Sequence, residues 1–485
     1  MERSLRQMSA SVQVSAGATL DMLGERLAPA VIEPVLKQFG LRQARQRKLP
    51  LVVVVLLCVA INLFTDQAIE DVLAQLLAGP RFLRPDEQWL PATKGAISQR
   101  RQQLGVRPLV ALFHQVCQPL ATPATPGAFL AGLRLMALDG TVEDVADTPA
   151  NAAYFGYWRG QRGRSAFPQV EALYLCECAT HAICDVGFWP RQGQERAQAR
   201  RLLRRLQPGM LVLWDAGLYS YDLCAGCVQR GAHFLARITA QFKLAPLQRL
   251  PDGSYLAELQ PRERWRRRRG EHVLVRVIEY RLEDPGRPGH GQTRRLITSY
   301  LDEAHLSAQT LACAYHQRWE IELSIDEMDT HQRQPRQPLR SRTPLGVLQE
   351  LYGLVIAHYA LRAVMHQAAE QVGVAPNDLS FTKTLRLLRN ALFEAQIVSR
   401  AQWPAWWARL LADIGRARLP QRDQRCNPRV VRRKFSNFPL KRDRHRHANQ
   451  PTKPFAQAVV VLGVPPAQPC PRPSQWAPQP TPALI

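Results

Sequence analysis

The sequence predicts an α/β protein with a helical N-terminal region, and three observations carry that prediction. Short apolar runs at 133–138, 170–179, 182–189 and 210–214 read as strands, because they are too short for helices and turn residues bound them. Two of these runs end on an acid, Asp139 and Asp215. Before and after this block, apolar residues recur at helical spacing.

The chain has 485 residues, enough for roughly two to four domains with a large core. A hydrophobic content of 46% excludes wholesale disorder. The 64 Lys+Arg against 40 Asp+Glu leave a net charge of +24, so an anionic partner is expected to offset the self-repulsion. Nucleic acid is the first candidate and anionic membrane the competitor. The longest apolar run, 49–64, falls short of the ~20 residues of a membrane span and contains Asn62, so a buried helix is expected there. It also starts too far along for a signal peptide, and the chain reads as intracellular with no membrane partner. Ten cysteines are too sparse for a disulfide framework.

Residues 1–125 are expected to form an N-terminal helical domain, with helices at 20–39 and 67–77 around the buried run. The segment 93–105 is a polar helix carrying Arg100 and Arg101, with Ser98 as a candidate cap and Gly105 as its end. Such a basic helix can bind DNA; a solvated charged face is the alternative reading. A linker at 123–127 opens a second domain, 126–400. Its order is strand, strand, strand, an Arg-dense helix at 194–206, then the strand at 210–214. That is the opening of a ribonuclease-H-like core, the retroviral-integrase type, in which neighbouring central strands carry acids to one edge. Residues 231–300 read as a β-rich insertion in that core. The insertion carries Arg262-Glu-Arg-Trp-Arg-Arg-Arg-Arg269, where Trp265 can stack on an unpaired base or lie on a charged strand edge. A long helix is expected over 311–333 and a packing helix over 346–367. Residues 401–450 form a basic region, densest from 422 to 446, and 451–485 a Pro-rich tail expected to be disordered.

Phosphodiester chemistry with two divalent ions needs carboxylates that converge on metals roughly 3.5–4 Å apart. Asp139 and Asp215 end apolar strands, although an Asp there also opens turns or caps helices. The 311–333 helix offers a third acid. Tyr315, Arg318 and Glu322 are spaced by three and then four residues, which puts them on one helical face. An ordinary surface ion pair has the same spacing.

Together these motifs resemble the bacterial insertion-sequence transposases of the DDE class, in the branch named after insertion sequence four. The branch signature, Tyr-x2-Arg-x3-Glu-x6-Lys, is matched by Tyr315, Arg318 and Glu322. Leu138-Asp-Gly-Thr141 resembles the first acid motif and Asp215-Ala-Gly-Leu-Tyr-Ser220 the second. Two departures stand out: Asp329 occupies the place of the Lys, and Ala216 that of a common Arg. The resemblance implies a DNA transposase, with Asp139, Asp215 and Glu322 as the catalytic triad holding two Mg²⁺ ions, Mn²⁺ being able to substitute. It implies that Tyr315 and Arg318 contact the DNA end, with Arg333, one turn past Asp329, as a compensating cation. It further implies double-stranded DNA as partner, both element ends and target, a homodimer on paired ends, and a bacterial cytoplasmic location, nucleoid-associated when bound. Two other readings remain at this level: a transposase-derived DNA-binding protein that has lost catalysis, suggested by Asp329, and a ribonuclease-H-like nuclease without strand transfer.

Overall fold

The computed structural model describes residues 27–41, 49–77, 92–160, 163–191, 195–239, 241–242, 244–287, 289–333, 337–395, 398–399, 401–420 and 451–463. The basic text at 422–446 and the end of the Pro-rich tail, 464–485, lie outside them. Eight strands of five residues or more are named here in chain order: β1 (Leu133–Asp144), β2 (Gln169–Glu177), β3 (Ala182–Pro190), β4 (Met210–Trp214), β5 (His233–Ile238), β6 (Tyr255–Leu259), β7 (Val273–Leu282) and β8 (Arg294–Thr298). Among the described residues no helix is long and apolar enough to cross a membrane.

The chain divides into two compact units. The first contains 1–128, 138–205 and 320–419; the second contains 129–137, 206–319 and 420–485. The expected N-terminal region, 1–125, falls within the first unit, which also contains 138–205 and 320–419. The reason lies in the helix Leu51–Ala60, which is buried on nearly every side. A helix apolar all round cannot serve a small surface domain and needs a core to enter. That core is the 29-residue helix Pro344–Val372. Where the two pack, a Cβ on Gly353 would lie 2.0 Å from the Cys58 carbonyl oxygen, so only glycine permits this approach. Asn62 seals the end of the apolar helix, its amide donating to Cys58 O at 2.9 Å and Glu350 O at 3.2 Å.

In the first unit β2 and β3 form an antiparallel hairpin from Val170–Pro190 to Glu177–Ala182, and β2 lies beside β1. Both hairpin strands are buried on both faces through most of their length, which explains their near-continuous apolar text. The cysteines there, Cys176, Cys178 and Cys184, are buried.

In the second unit the start of β1 pairs in parallel with β4, from Arg134–Met210 to Ala137–Leu213. Strand β4 pairs in parallel with β5, and β8, β7 and β6 follow antiparallel. The insertion therefore starts later than expected, since β5 lies within the span assigned to it yet continues the parallel core. Residues 451–463 also depart from the expected tail. A helix at Phe455–Ala458 leads into a strand, Val459–Val461, that pairs with β7. Three consecutive valines with two of them buried outweigh the prolines that surround them.

Candidate active site

Asp139 follows the four buried residues Leu135–Leu138 of β1 and is itself half-buried. Its Oδ1 accepts from the Gly140 N–H at 2.9 Å. Gly140 is confined: an added Cβ would lie 2.8 Å from the Ala172 carbonyl and 2.6 Å from Glu195 Oε1. The Asp-Gly pair is thus a packing requirement of the strand, and Glu195 is a fourth carboxylate at this strand that sequence reasoning missed. No motif marked it, because it stands in an Arg-dense helix, Glu195–Leu202.

Asp215 follows β4, whose five residues are all buried. Its Oδ1 accepts from Gly217 N at 2.8 Å and Leu218 N at 3.3 Å, so it opens a turn as well as ending a strand. Ser220 then caps the helix Tyr221–Val228. Tyr315 lies in the same unit, 8% exposed, and its hydroxyl donates to Trp214 O at 3.3 Å, the carbonyl immediately before Asp215. Burial raises the pKa of its phenol. The expectation that Tyr315 contacts DNA is corrected here: its hydroxyl fixes the backbone that carries Asp215. Arg318 is likewise 8% exposed and lies over the Trp319 ring at 5.1 Å.

The expected continuous helix over 311–333 is broken into four parts. An α-helix, Ala308–Ala314, is followed by a 3₁₀ turn, Tyr315–Arg318, an α-helix, Trp319–Asp326, and a π-helical turn, Glu327–Gln332. A 3₁₀ turn winds at three residues per turn and a π turn winds wider, so the signature does not follow one straight α-helical face. Glu322 is half-buried in the third part. Two buried clusters in the first unit hold the π turn.

In the first cluster, Glu327 faces Arg362, His181 at 3.2 Å and His358 at 3.0 Å. Burial alone would raise the Glu327 pKa, but Arg362 and His181 outweigh it and hold the carboxyl well below its usual range. His181 Nε2 also meets Glu320 at 2.8 Å, so the tip of the β2–β3 hairpin is tied to the helix of Glu322.

In the second cluster, Arg333 Nη1 donates to Glu143 Oε2 at 2.5 Å, and Thr141 Oγ1 reaches Asp329 Oδ2 at 3.5 Å. Glu143 Oε1 and Asp329 Oδ1 are both buried without a hydrogen-bond partner. Burial first, then the Glu143 carboxylate, raise the Asp329 pKa to about 9. Two expectations are corrected by this cluster. Asp329 is turned into this cluster rather than facing outward beside Glu322, and burial there favours its neutral form. Arg333, with its side chain 11% exposed, neutralises Glu143 and is not a free cation for phosphate.

Arg100 and Arg101 are corrected as well. Arg100 Nε donates to Leu49 O at 2.8 Å, and Arg101 donates to Gln349 Oε1 at 3.0 Å and Gly346 O at 3.1 Å. Both guanidinia satisfy carbonyls and an amide of the first unit's own core, so this helix presents no free basic face through them. The Arg-dense text at 200–205 is partly spent in the same way, Arg204 pairing with Asp185 at 2.8 and 2.9 Å. Trp265 lies on a short helix, Arg264–Arg268, rather than a strand edge; it is 56% exposed beneath Arg269 at 5.0 Å.

Among the described residues no three His, Cys, Asp or Glu side chains form a ready metal cluster. The donor chemistry nonetheless fits a hard divalent ion. Asp139, Asp215 and Glu322 offer oxygen only, and a Mg²⁺ site takes one or two carboxylates, water and substrate phosphate rather than an all-protein cage.

Comparison with known proteins agrees with this chemistry. The family model for the insertion element 4 transposase N-terminal region matches residues 17–114, and that for the transposase DDE domain matches 131–360. The chain is 29% identical over 432 residues to the transposase InsG of insertion sequence element IS4 from Escherichia coli K12, covering 87% of this chain and 93% of that one. It is 26% identical over 141 residues to the putative transposase InsZ of the same organism, covering 29% of this chain and 47% of that one. A cryo-EM structure of the piggyBac transposase synaptic complex with hairpin DNA covers 83% of this chain and 76% of its own, at 12% identity and a TM-score of 0.40; nothing below rests on it. The transposase DDE-domain match, together with the similarity to an IS4 transposase, defines a metal-dependent enzyme of DNA transposition. The chain belongs to the IS4 family of DDE transposases.

Proposed function

We propose that this transposase binds the terminal inverted repeats of its own insertion sequence, cuts the element free and joins it to target DNA, with Mg²⁺ as the resident ion. One observation carries the reading. Ala137 and Leu213 are the last pair of the parallel β1–β4 ladder; Asp139 lies two residues past Ala137, within β1, and Asp215 two residues past Leu213, just beyond β4. Two neighbouring parallel strands thus each lead to an acid at the same offset from the end of their ladder.

Asp139, Asp215 and Glu322 would each offer a carboxylate to the metal. When bound, two divalent ions activate water against the phosphodiester and stabilise the attacking and leaving oxygens. Tyr315 keeps the backbone before Asp215 in place through Trp214 O. Arg318, stacked on Trp319, is the signature cation directed to the DNA end. Cleavage leaves a 3′-hydroxyl, which then attacks the target phosphodiester. The ends are paired by a homodimer, and the work is done in the cytoplasm on the nucleoid. Trp265 stacks on an unpaired base during cleavage, and the N-terminal helices together with 422–446 contribute to DNA binding.

The alternative, a DNA-binding protein without catalysis, rests on the charge of Asp329 and on Ala216 in the second acid motif. Burial beside Glu143, which raises the Asp329 pKa and favours its neutral form, weighs against the first of these. Asp139→Asn and Glu322→Gln should retain binding to element-end DNA and lose strand cleavage in Mg²⁺. Nicking of that DNA by Asp139→Asn at the rate of the parent would sink the assignment.

A further inference from the structure

The connection between β1 and β2 carries a feature that the acids do not use. Residues 157–160 and 163–165 form the two arms of a small hairpin, joined by Ser165 N donating to Trp158 O at 2.8 Å and Trp158 N donating to Ser165 Oγ at 3.1 Å. Its ladder sets Arg159 opposite Arg164 and Gly160 opposite Gly163, and all four residues are exposed. Like charges directly across a ladder repel, so this pairing destabilises the hairpin in isolation. Among the described residues neither arginine forms an ion pair that would relieve it.

Aromatic rings hold the arrangement in place. The Arg164 guanidinium lies 3.7 Å over the Tyr157 ring, and Arg191 lies 4.6 Å over Trp158. Trp158 rests against the turn, where a Cβ on Gly160 would come 3.2 Å from its Nε1. Tyr157 is itself fixed by a hydrogen bond from its hydroxyl to Asp147. A guanidinium stacked on a ring loses little freedom when it meets an anion, and a planar fork suits phosphate oxygens.

We propose that this hairpin is a contact for the phosphate backbone of double-stranded DNA, through Arg159 and Arg164; the proposal rests on the transposase reading above. A phosphate placed between the two arginines turns their repulsion into attraction. The position follows from the foot of the hairpin. Gln169 N donates to Gly156 O at 3.0 Å, and the Gln169 side chain donates to Asp144 Oδ1 at 2.8 Å. Asp144 lies five residues beyond Asp139 on the same strand, about 17 Å at ~3.4 Å per residue. That is about five base pairs of duplex at ~3.4 Å each. The hairpin therefore meets the DNA flanking the cleaved bond and not the bond itself.

The test is the full-length double variant Arg159→Gln/Arg164→Gln, with binding measured against salt on an element-end duplex and on an unrelated duplex of equal length. Two lost phosphate contacts should lower the slope of log K against log salt by about two on both duplexes, and weaken binding roughly tenfold at low salt. Arg159→Lys/Arg164→Lys should restore most of the slope, since charge is kept. An unchanged slope for the Gln variant, at an unfolding midpoint matching the parent, would overturn the proposal. A loss confined to the element-end duplex would overturn it too, because that is base readout. If the parent binds both duplexes, and the Gln variant shows the slope change, but the parent never cleaves element ends, the transposase reading fails and the hairpin contact stands. If the parent binds neither duplex, both fail.

Discussion

Arg333 and Glu143 form a buried ion pair, 2.5 Å from Nη1 to Oε2, that ties the π turn after the Glu322 helix to the strand of Asp139. Asp329 and Thr141 complete the cluster, and Tyr174 lies within range of its charges. Two of the three expected metal ligands are therefore held by elements that this cluster joins.

Breaking the pair leaves Glu143 buried beside Asp329 without a counter-charge. Arg333→Ala should cost about 3–5 kcal/mol in urea unfolding, the usual penalty for removing one partner of a buried pair. Arg333→Ala combined with Glu143→Gln should recover part of that loss. A single variant as stable as the parent would show that the pair is not buried in solution.

Asp329 makes stability depend on pH. Its carboxyl is raised from 3.8 to about 9 in the folded protein, so the folded state holds a proton that the unfolded chain releases. The stabilisation is complete below about 4 and is lost as pH rises through about 9. Asp329→Asn should flatten this part of the profile, measured as the urea midpoint between pH 5 and pH 9. A parental slope in the Asn variant would place the proton elsewhere.

Glu327 has the opposite sign. Arg362 and His181 hold it well below 4.5 against the effect of burial, so its contribution is present above that value and lost as pH falls toward its lowered pKa. Glu327→Gln should lower stability by about 3–5 kcal/mol at neutral pH and reduce the acid sensitivity seen in the parent. Circular dichroism of denaturant unfolding at pH 7 and pH 4 separates the two effects.

Gly140→Ala tests the confinement beside Asp139. The new methyl meets the Ala172 carbonyl at 2.8 Å, and backbone cannot yield as a side-chain tip can. A cost of about 1–3 kcal/mol is expected, with cleavage falling more steeply than DNA binding. Equal stability and equal cleavage in the variant would mean that the strand adjusts freely there.

Arg101→Ala should act on the fold and not on DNA. Its donors serve Gln349 and Gly346, so the unfolding midpoint should fall while the salt slope of DNA binding stays with the parent. A lost slope at full stability would return this residue to the DNA surface.

The sequence by itself determined the elements that local pattern controls. Runs such as Met210–Trp214 are apolar without interruption and end on an acid, so both the strand and its terminal carboxylate were legible. The third acid, Glu322, was marked by the resemblance of its motif and not by its spacing, which an ordinary ion pair shares; the unbroken apolar text before Asn62 marked a helix that must be buried. Only the tertiary structure decided what the charged residues do. Arg101 finds Gln349, Arg333 finds Glu143 and Glu327 finds His181 and Arg362 across 248, 190, 146 and 35 residues of chain, and periodicity carries no information about partners so distant. The breaks in the catalytic helix have the same origin, since packing of the π turn between two buried charge clusters overrides a pattern that local spacing reads as one helix. The charge of Asp329 is the clearest case. Its letter says acid, and burial beside Glu143 pushes its carboxyl toward the neutral form.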